Sequence, residues 1–460
     1  MTTGLERRAA ALRDRIAELS AQGVRRIQIE TPDTNGTLRG KLMRLEKGLS
    51  PTGGAFCTIL YGLSYVDDVM ESRFSSFANG FPDATVLADP DTVCILDAEA
   101  GIASVICDIH ETGGGGLDYV LSPRGALHRA VAKAEAMGFE ARFAVELELC
   151  ALRTDEALIA SGGHYDQRPM GRLNNAYSLA RMTELRSLAS GFMAWADGMG
   201  LPIDAIHTEL GQGMMEIALG HLPALAAADA CARVRLYLKE YMERHGYAAV
   251  FMPKWRFSES GCGGHVHQSL WRAGQPAFAD EGGALSDLAR RYVAGQLATL
   301  ADFAAVFYPT INAYRRMDAA SWAPENVSWG MDNRTCALRA ITQPSPASFR
   351  IEHRCPGADI NPYLAIAAML AGGLHRVEAG LDAPPPVGGN AADVPGLERL
   401  PTSLAAATER FAASPLAGEL LGEGLQEQYA VTRRAECALW EAWQREQVSP
   451  WEVTRYFDLH

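Results

Sequence analysis

The sequence predicts an α+β protein with a small β-rich domain at residues 1–113 and a large mixed domain at residues 114–460. Residues 24 to about 110 form short apolar segments broken by frequent Gly, Pro and Asp, the pattern of short strands. The composition changes at the glycine-rich stretch Glu111–Gly116, a flexible boundary. Long helical patterns follow that boundary, which indicates a second domain of different architecture.

The length, charge and composition of the chain limit the classes of function. With 460 residues the chain exceeds one small domain. Its formal charge of −13 argues against nucleic acid or an anionic membrane as the main partner. The longest apolar runs are shorter than a membrane span requires, and the charged N-terminal segment lacks a signal core, so we expect a cytoplasmic protein. Nine scattered cysteines without a C-x-x-C pair suit free thiols in a reducing compartment.

Helix boundaries can be predicted from local signals. The first helix is expected from Leu5 to about Ser20, and a second begins at Ser122-Pro123 and ends at Gly138. The segment after Gly138, FEARFAVELELCAL, has the alternation of a strand. Further long helices are predicted at residues 175–199, 223–245, 288–306 and from Asn361 to about Gly380.

Two carboxylates share one face of that strand. Glu146 and Glu148 alternate with Val145, Leu147 and Leu149, so both point to the same side. A solvated strand face is the usual explanation of such a pair. Here, however, the same face carries residues that prefer burial, and sheltered carboxylates repel each other unless a cation neutralises them. The pair therefore suggests a divalent metal ion.

A second pair of carboxylates lies in HTELGQGMMEIAL. Glu209 and Glu216 are separated by Gly-Gln-Gly, which makes a continuous helix improbable. Glu216 follows on the apolar strand MMEIAL. A charged residue there is either exposed at a sheet edge or bound to a ligand, and the residues alone leave both readings open.

The glycine-rich segment GCGGHVHQSLW brings two imidazoles together. His265 and His267 are spaced i, i+2 and point to the same side of a strand. The glycines beside them, including Gly261, are expected to let a ligand approach the backbone. Such a segment can hold a metal ion or a phosphate. The alternative is a glycine turn that leads into a strand with two ordinary histidines.

Arginines near the end of the chain indicate an anionic substrate. In RIEHR, Arg350, Glu352 and Arg354 share a strand face, although a salt-bridged outer face would explain that trio equally simply. Guanidinium groups bind carboxylate and phosphate through two hydrogen bonds, and more of them lie upstream, at Arg315, Arg316, Arg334 and Arg339. Five carboxylates with two imidazoles favour Mg²⁺ or Mn²⁺ over zinc, and together with the arginines they suggest phosphoryl transfer.

These motifs, in this order, resemble those of the glutamine synthetases over nearly the whole chain. The matching segments are FAVELELC, ELGQGMME, GCGGHVHQSL, NRTCALR and RIEHRCPGADINPY. The resemblance implies an N-terminal β-grasp domain followed by a large glutamine-synthetase-type catalytic αβ domain. It also implies ATP as a substrate and a homo-oligomer, typically a dodecamer of two rings, whose active sites form between neighbouring subunits.

The resemblance also implies roles for individual residues. One of two Mg²⁺ or Mn²⁺ ions would be held by Glu148, Glu209 and Glu216, and the other by Glu146, His265 and Glu352. Positions that match ATP contacts are His267, Ser269, Arg339 and Arg350. Gly261, Arg316 and Arg354 match groups that hold the substrate glutamate, and Arg334 matches the arginine that assists phosphoryl transfer.

The chain departs from the ammonia-using members at the amine site. They carry an acidic residue in YEAP, whereas this chain reads SWAP, with Trp322 in place of the acid. Their Asp in a FDGSS-like loop has its nearest match here in FCTIL, at Cys57 or a neighbour. Asp83 does match the remaining ammonium-site aspartate. The shorter spacing between Glu209 and Glu216 resembles that of the γ-glutamylpolyamine and γ-glutamylamide ligases.

An indole in place of a carboxylate favours an amine that carries an alkyl or aryl group. Ammonium needs anionic neighbours, while an organic amine gains about 25 cal/mol for each Å² of apolar surface that it buries. We expect a ligase that joins glutamate to a monoamine through γ-glutamyl phosphate, with Asp83 as the proton acceptor. The alternatives are an ammonia-dependent glutamine synthetase, a γ-glutamylpolyamine synthetase, which would need a second acid, and a non-catalytic structural or sensor relative.

Overall fold

The computed structural model describes residues 4–110, 120–171, 175–317 and 322–458. The predicted domain boundary between residues 113 and 114 lies outside these ranges and stays a prediction. Within them, strands form two separate sheets, and helices cover one of the two extensively.

Six strands and two helices precede residue 111. The strands are β1 (Arg26–Pro32), β2 (Leu38–Arg44), β3 (Gly54–Cys57), β4 (Asp83–Ala88), β5 (Cys94–Asp97) and β6 (Ile102–His110). The helices are α1 (Gly4–Ala21) and the short α2 (Leu45–Gly48). The strand order is β2-β1-β6-β4-β3, with β5 also paired to β6, and β1 and β6 run parallel. Alternate residues of β1, Ile27 and Ile29, are buried together with Leu12 and Leu19 of α1, because each element turns one apolar side to a shared core.

The remaining described residues form the larger sheet and its helices. Its strands are β7 (Glu140–Arg153), β8 (Arg168–Pro169), β9 (Ile203–Thr208), β10 (Met214–Leu219), β11 (Leu222–Pro223), β12 (Tyr247–Val250), β13 (Gly264–Arg272), β14 (Gln275–Pro276), β15 (Trp329–Met331), β16 (Leu338–Ile341) and β17 (Arg350–His353). Its helices are α3 (Pro123–Ala136), α4 (Glu156–Ala160), α5 (Leu179–Gly198), α6 (Ala224–Arg244), α7 (Asp287–Leu300), α8 (Ala304–Phe307), α9 (Pro362–Ala379), α10 (Leu404–Ala413), α11 (Pro415–Leu421), α12 (Glu423–Arg445) and α13 (Pro450–Tyr456).

The long strand β7 organises this larger sheet. The main path runs β15-β16-β17-β13-β7-β10-β9, and β8, β11 and β12 also pair with β7. Val145, Leu147 and Leu149 are fully buried in the core, where α3 and α6 pack on β7 and α9 packs on both of those helices. The alternation of a strand therefore leaves Glu146 and Glu148 on the opposite face of the sheet.

Most helix limits follow the local signals. The Ser122 hydroxyl accepts a hydrogen bond from the Gly125 N–H at the start of α3, and Gly380 ends α9 with φ of +67°. The helix predicted at residues 288–306 is wrong as one element, because α7 ends at Leu300 and α8 begins at Ala304. Phe303, within the break, is completely buried and packs against Phe411, a contact between distant segments that local signals do not show.

Buried ion pairs join the two sheets. Arg124 of α3 is almost completely buried and binds Asp89 and Asp108 from the N-terminal part and Asp229 of α6. Arg233 of α6 likewise donates to Glu30 of β1 at 2.9 Å. Because an unpaired charge at such a place would be costly, these contacts tie both parts of the chain into one arrangement. No helix in the described residues is long and apolar enough to cross a membrane.

Candidate active site

Most of the predicted metal-binding and ATP-binding residues lie along one row that crosses the larger sheet. At the β9–β10–β7 end, His207 is the register partner of Glu216, and Glu216 is the partner of Glu148. In the middle, Glu146 of β7 faces His265 of β13. At the other end, Glu352 of β17 is the register partner of both His267 and Arg339. Strand register thus brings together residues from segments that are far apart in sequence.

One end of the row holds Glu209, Glu216 and His207. The His207 Nε2 atom lies 3.0 Å from Glu216 and its Nδ1 atom lies 3.4 Å from Glu209, so the imidazole bridges the two carboxylates. Ligand atoms of these three residues lie within 4.8 Å of one another. Glu216 is buried within the sheet, between β7 and β9, which excludes the edge-exposed reading.

The middle of the row holds Glu146, His265 and Glu352. The His265 Nδ1 atom lies 3.7 Å from Glu146 and 3.8 Å from Glu352. His267 stands beside them, with its Nε2 atom 3.0 Å from Glu146. The compact groups of possible ligand atoms here are Glu146, His267 and Glu352, and Glu146, Glu216 and His265. The predicted set of Glu146, His265 and Glu352 therefore stays a prediction.

Glu148 is placed differently from the other carboxylates. One of its oxygens accepts a hydrogen bond from the Gly263 N–H at 2.7 Å. Its backbone pairs with that of Glu216, but its side chain is absent from the compact groups of possible metal ligands found among the described residues. His207 occupies that place beside Glu209 and Glu216 instead.

The electrostatics of the row fit a bound cation. Burial, together with the charges of Glu148 and Glu216, raises the pKa of Glu209 above its ordinary value. Like charges that remain close to one another in this way are stabilised by a divalent ion with oxygen and nitrogen ligands. The donor set of the described residues therefore fits a divalent metal ion.

Arginines neutralise the other end of the row. Arg339 donates to Glu352 at 2.9 Å and to Asp332, and Arg354 also pairs with Glu352. Although burial acts to raise the pKa of Glu352, the charges of Arg354 and the two nearby imidazoles lower it to about 2. Glu352 is therefore ionised across the physiological range. The salt-bridged outer face considered above does not describe it, because Glu352 is almost completely buried.

Further predicted ATP contacts adjoin this end. Arg350 donates from Nε to the Nδ1 atom of His267 at 3.2 Å, which orients that imidazole. Ser269 accepts a hydrogen bond from the Trp271 indole at 3.0 Å and lies 3.2 Å from His221 Nε2. The Arg334 residue is exposed, and its backbone carbonyl oxygen accepts a hydrogen bond from Arg354 Nε at 3.0 Å.

The glycines of the GCGG segment make room for neighbouring residues of the protein. A Cβ atom on Gly261 would lie 2.8 Å from the Arg316 side chain, and one on Gly263 would lie 2.6 Å from the His265 ring. A Cβ on Gly264 would meet the Gly357 carbonyl oxygen at 2.4 Å. The missing side chains thus make room for the protein's own residues. The expectation that they also admit a ligand to the backbone stays a prediction.

Two of the predicted amine-site residues lie in the N-terminal sheet. Cys57 of β3 and Asp83 of β4 are register partners in the N-terminal sheet, where the Cys57 thiol donates to the Phe81 carbonyl oxygen at 3.4 Å. Asp83 is exposed. Trp322 has 61% of its surface exposed, and its neighbour Ser321 lies outside the described residues. Cys57 and Asp83 thus belong to a different sheet from the carboxylates of the same chain.

Two side chains beside the carboxylates escaped the sequence reasoning. His207 precedes Glu209 by two positions, so the same-face argument used for the other pairs could have found it. Tyr177 stacks on the His207 ring at a centroid distance of 4.6 Å. Nothing in the local sequence marks Tyr177, because the stacking depends on how the segment before α5 folds back on β9.

A small cleft adjoins Glu209 between α5 and the turn before β10. Arg181, Glu184 and Thr208 contribute to its walls. Solvent therefore reaches the carboxylate end of the row from the side of α5. Taken together, the geometry describes an enzyme site that can bind cations beside a cluster of guanidinium groups, and so can bring metal ions and anionic substrates together.

Comparison with known proteins identifies the family. The family model described as "Glutamine synthetase, catalytic domain" matches residues 120–456. A glutamate–isopropylamine ligase of Pseudomonas sp is 35% identical over 443 residues, 94% of this chain and 95% of that protein. A γ-glutamylethanolamide synthetase, GlnA4 of Streptomyces coelicolor, is 32% identical over 447 residues, 96% of this chain and 94% of that protein. Proteins named glutamine synthetase also match.

Solved structures share the fold. The structure of a GmaS/ADP complex superposes with a TM-score of 0.81 at 24% identity, covering 96% of this chain and 99% of that one. The protein is therefore a ligase that forms carbon–nitrogen bonds. It belongs to the glutamine synthetase family, which normally uses ATP and divalent metal ions.

Proposed function

We propose that the protein joins the γ-carboxylate of L-glutamate to an organic monoamine, with ATP as the energy source, to give a γ-glutamylamide, ADP and phosphate. The observation that carries this proposal is Trp322, an exposed indole at the position where ammonia-using relatives carry an acid. The names of the two relatives, an isopropylamine ligase and an ethanolamide synthetase, support an organic amine as well.

Two divalent cations are proposed to occupy the row of carboxylates and imidazoles. Glu148, Glu209 and Glu216 would hold one ion, with His207 fixing the orientation of the latter two carboxylates. Glu146, His265 and Glu352 would hold the other. When bound, such ions neutralise charge on the phosphoryl group that is transferred.

The arginines and neighbouring polar groups are proposed to hold the anionic substrates. His267, Ser269, Arg339 and Arg350 would contact ATP, because they lie together at the β13–β17–β16 end of the row. Gly261, Arg316 and Arg354 would hold glutamate beside them. The close fit of Gly261 against the Arg316 side chain supports a shared role for these two residues.

The reaction would proceed in two steps. The γ-carboxylate of glutamate attacks the γ-phosphate of ATP, which releases ADP and forms γ-glutamyl phosphate. The Arg334 side chain is exposed and suited to stabilise charge on the transferring group. The amine then attacks the acyl carbon, forms the amide bond and displaces phosphate.

The amine must lose a proton before it attacks. An alkylammonium has a pKa of about 10, similar to the reference value for lysine, so a base is required at neutral pH. Asp83 is the proposed acceptor, with Cys57 and Trp322 lining the amine pocket. Asp83 and Cys57 lie on the N-terminal sheet rather than on the carboxylate row, which suits a site completed by the N-terminal sheet of a neighbouring subunit.

The proposed homo-oligomer with shared sites, a dodecamer by family resemblance, can be tested by mixing inactive variants. If Asp83 serves a neighbour's site, co-assembly of Asp83→Asn and Glu216→Gln subunits should restore activity at about a quarter of the sites by random mixing. Absence of recovery in oligomers that are shown to contain both subunits would place Asp83 in its own chain's site, or in none.

The substrate is tested by phosphate release from ATP in the presence of Mg²⁺ and glutamate. The panel is ammonium, methylamine, isopropylamine, ethanolamine, putrescine, spermidine and aniline. Higher kcat/KM for one of the monoamines than for ammonium is expected. A preference for ammonium would make the protein an atypical glutamine synthetase, and a preference for putrescine or spermidine would require a second acid near Trp322. Lack of turnover with every amine would favour a non-catalytic relative.

A further inference from the structure

A carboxylate close to Arg316, that of Asp359, takes no part in the site described so far. The Thr310 hydroxyl donates to its Oδ2 atom at 2.7 Å. Its Oδ1 atom is shielded from solvent and has no hydrogen-bond partner within the described part of the chain. Buried carboxylate oxygens normally accept a hydrogen bond. An oxygen without one is expected to interact with a charged group nearby.

That nearby charge is the guanidinium of Arg316. Gly357 lies between the two groups, since a Cβ on this glycine would be 2.6 Å from Asp359 Oδ1 and 3.5 Å from Arg316 Nη1. Arg316 itself is buried, with 4% of its surface exposed, and Nη1 donates to the Cys355 carbonyl oxygen at 3.0 Å. The carboxylate and the guanidinium therefore border the same small space, kept clear by a glycine.

A second connection runs through the backbone that carries Arg316. Arg316 is the last residue of a short 3₁₀ turn, Asn312–Arg316. The Thr310 hydroxyl that donates to Asp359 also accepts a hydrogen bond from the Ala313 N–H at 3.0 Å. One hydroxyl group thus links Asp359 to the start of the turn, and Asp359 acts on Arg316 both through charge and through the backbone.

The backbone on either side of Asp359 is held in place. Arg235 of α6 donates to the Ala358 carbonyl oxygen at 3.2 Å and to the Ile360 carbonyl oxygen at 2.7 Å. Asn361 then donates to the carbonyl oxygens of Asp33 and Thr34 in the N-terminal part. These contacts hold the backbone of Asp359 in place on both sides, so its carboxylate starts from a fixed point beside Arg316.

We propose that Asp359 is a positioning residue that orients the guanidinium of Arg316 for the substrate glutamate. The inference rests on the proposed function, in which Arg316 binds glutamate. Asp359 touches no substrate itself, and removal of its charge should therefore weaken glutamate binding while ATP and amine binding remain as they are.

The test compares Asp359→Asn with wild type. The amide keeps the shape and still accepts from Thr310, but it removes the charge beside Arg316. The expected result is an increase of about tenfold in KM for glutamate, the size typical of a positioning contact, with KM for ATP and for the amine within twofold of wild type. Asp359→Glu, which keeps the charge, should recover part of the lost affinity.

Asp302→Asn is the matched control. Asp302 also accepts a hydrogen bond from a hydroxyl, that of Ser414, at 2.7 Å, and it pairs with Arg410 rather than with a predicted site residue. A merely structural role of Asp359 would lower the melting temperature in both variants and leave KM for glutamate unchanged in both. That outcome, or a parallel rise of all three KM values in Asp359→Asn, would overturn the proposal.

Calorimetric binding of glutamate separates this proposal from the proposed reaction. If wild type binds glutamate more tightly than Asp359→Asn but turns over no amine, the positioning role is supported and the proposed reaction is rejected. Wild type that turns over amines while Asp359→Asn binds glutamate equally well would reject the positioning role alone. Wild type that binds no glutamate would reject both.

Discussion

The carboxylates of the site differ in which neighbouring groups balance their charge. Glu352 has its charge balanced by Arg339 and Arg354, whereas Glu209 shares its end of the row with other carboxylates and has a raised pKa through burial and their charge. The two ends of one row therefore differ in electrostatic character. A cation is favoured most at the Glu209 end, and an anion is favoured most near the arginines.

The indole of Trp322 is predicted to select the amine. Trp322→Glu restores an acid at that position and should favour ammonium, which needs anionic neighbours, over an organic amine. The ratio of kcat/KM for ammonium to that for the best organic amine should rise tenfold or more, or about 1.4 kcal/mol. Trp451→Glu is the control, since Trp451 of α13 is equally exposed, at 61%. An unchanged ratio in Trp322→Glu would remove Trp322 from the amine pocket.

Asp359 is also predicted to make stability depend on pH. Burial raises its pKa to about 6 from 3.8, although Arg316 and Arg235 act against that rise. The folded protein therefore keeps this proton where the unfolded chain has lost it, and the resulting stabilisation disappears as the pH rises through 6. Relative to Asp359→Asn, wild type should lose about 1 kcal/mol of unfolding free energy between pH 5 and pH 8. Urea unfolding of both proteins at several pH values measures the effect. If the unfolding free energies of wild type and Asp359→Asn change with pH in parallel, this prediction is contradicted.

The regular spacing of residues along each strand positions the side chains of the site. The period of two in β7 sends its leucines and valine to the helices and its glutamates to the opposite face, and β10, β13 and β17 do the same for Glu216, His265 and Glu352. Loops contribute little to the placement of these carboxylates. Sites built on strands are held more firmly than sites on loops, which suits a row that must keep several like charges close together.

The fit of the segment before β13 can be tested at Gly263. A Cβ there would lie 2.6 Å from His265 Nε2, so Gly263→Ala should displace the imidazole. Loss of the contacts that orient a metal ligand typically lowers metal affinity 10–100-fold. We expect the affinity for Mn²⁺ to decrease by a factor in that range. Titration calorimetry with Mn²⁺ measures the effect. Gly198→Ala, at the end of α5 with open space around its Cβ, should bind Mn²⁺ as wild type does. Unaltered affinity in Gly263→Ala would exclude His265 as a ligand.

The whole molecule depends on charges buried between its two sheets. Arg124 binds three aspartates at once, and Arg233 is nearly as enclosed as Arg124 while it binds Glu30. Such pairs add little net stability over apolar packing, but each removal of one partner leaves charges without compensation. They are therefore expected to specify how the N-terminal sheet sits on the larger domain.

Arg124→Ala is predicted to be strongly destabilising. It leaves Asp108, Asp229 and Asp89 without their shared cation, and removal of one partner from a buried pair costs about 3–5 kcal/mol. Urea unfolding of the two proteins measures the difference. Arg434→Ala removes an exposed pair with Glu409 and should cost less than about 1 kcal/mol. Equal small losses in the two variants would show that the network between the sheets contributes no more than a surface contact.

The predictable part of the fold consists of features with local signals. Ser122 and Asn361 mark helix starts because their side chains accept hydrogen bonds from N–H groups two or three residues later. The helix predicted at residues 288–306 failed for the converse reason. Its interruption at residues 301–303 contains no proline or glycine to mark it, while Phe303 packs against Phe411 from a distant segment.

The sequence by itself determined which face of each strand carries the carboxylates and imidazoles, because side chains alternate with a period of two whatever lies beside the strand. Its motifs also determined the family, since their order and spacing persist at modest identity. Only the tertiary structure decided which strands are neighbours, that His207 bridges Glu209 and Glu216, that the glycines accommodate Arg316 and His265, and that Asp359 lies beside Arg316. The physical reason is that these contacts join residues from distant segments, and their distances depend on strand register and packing of the core, which local patterns do not encode.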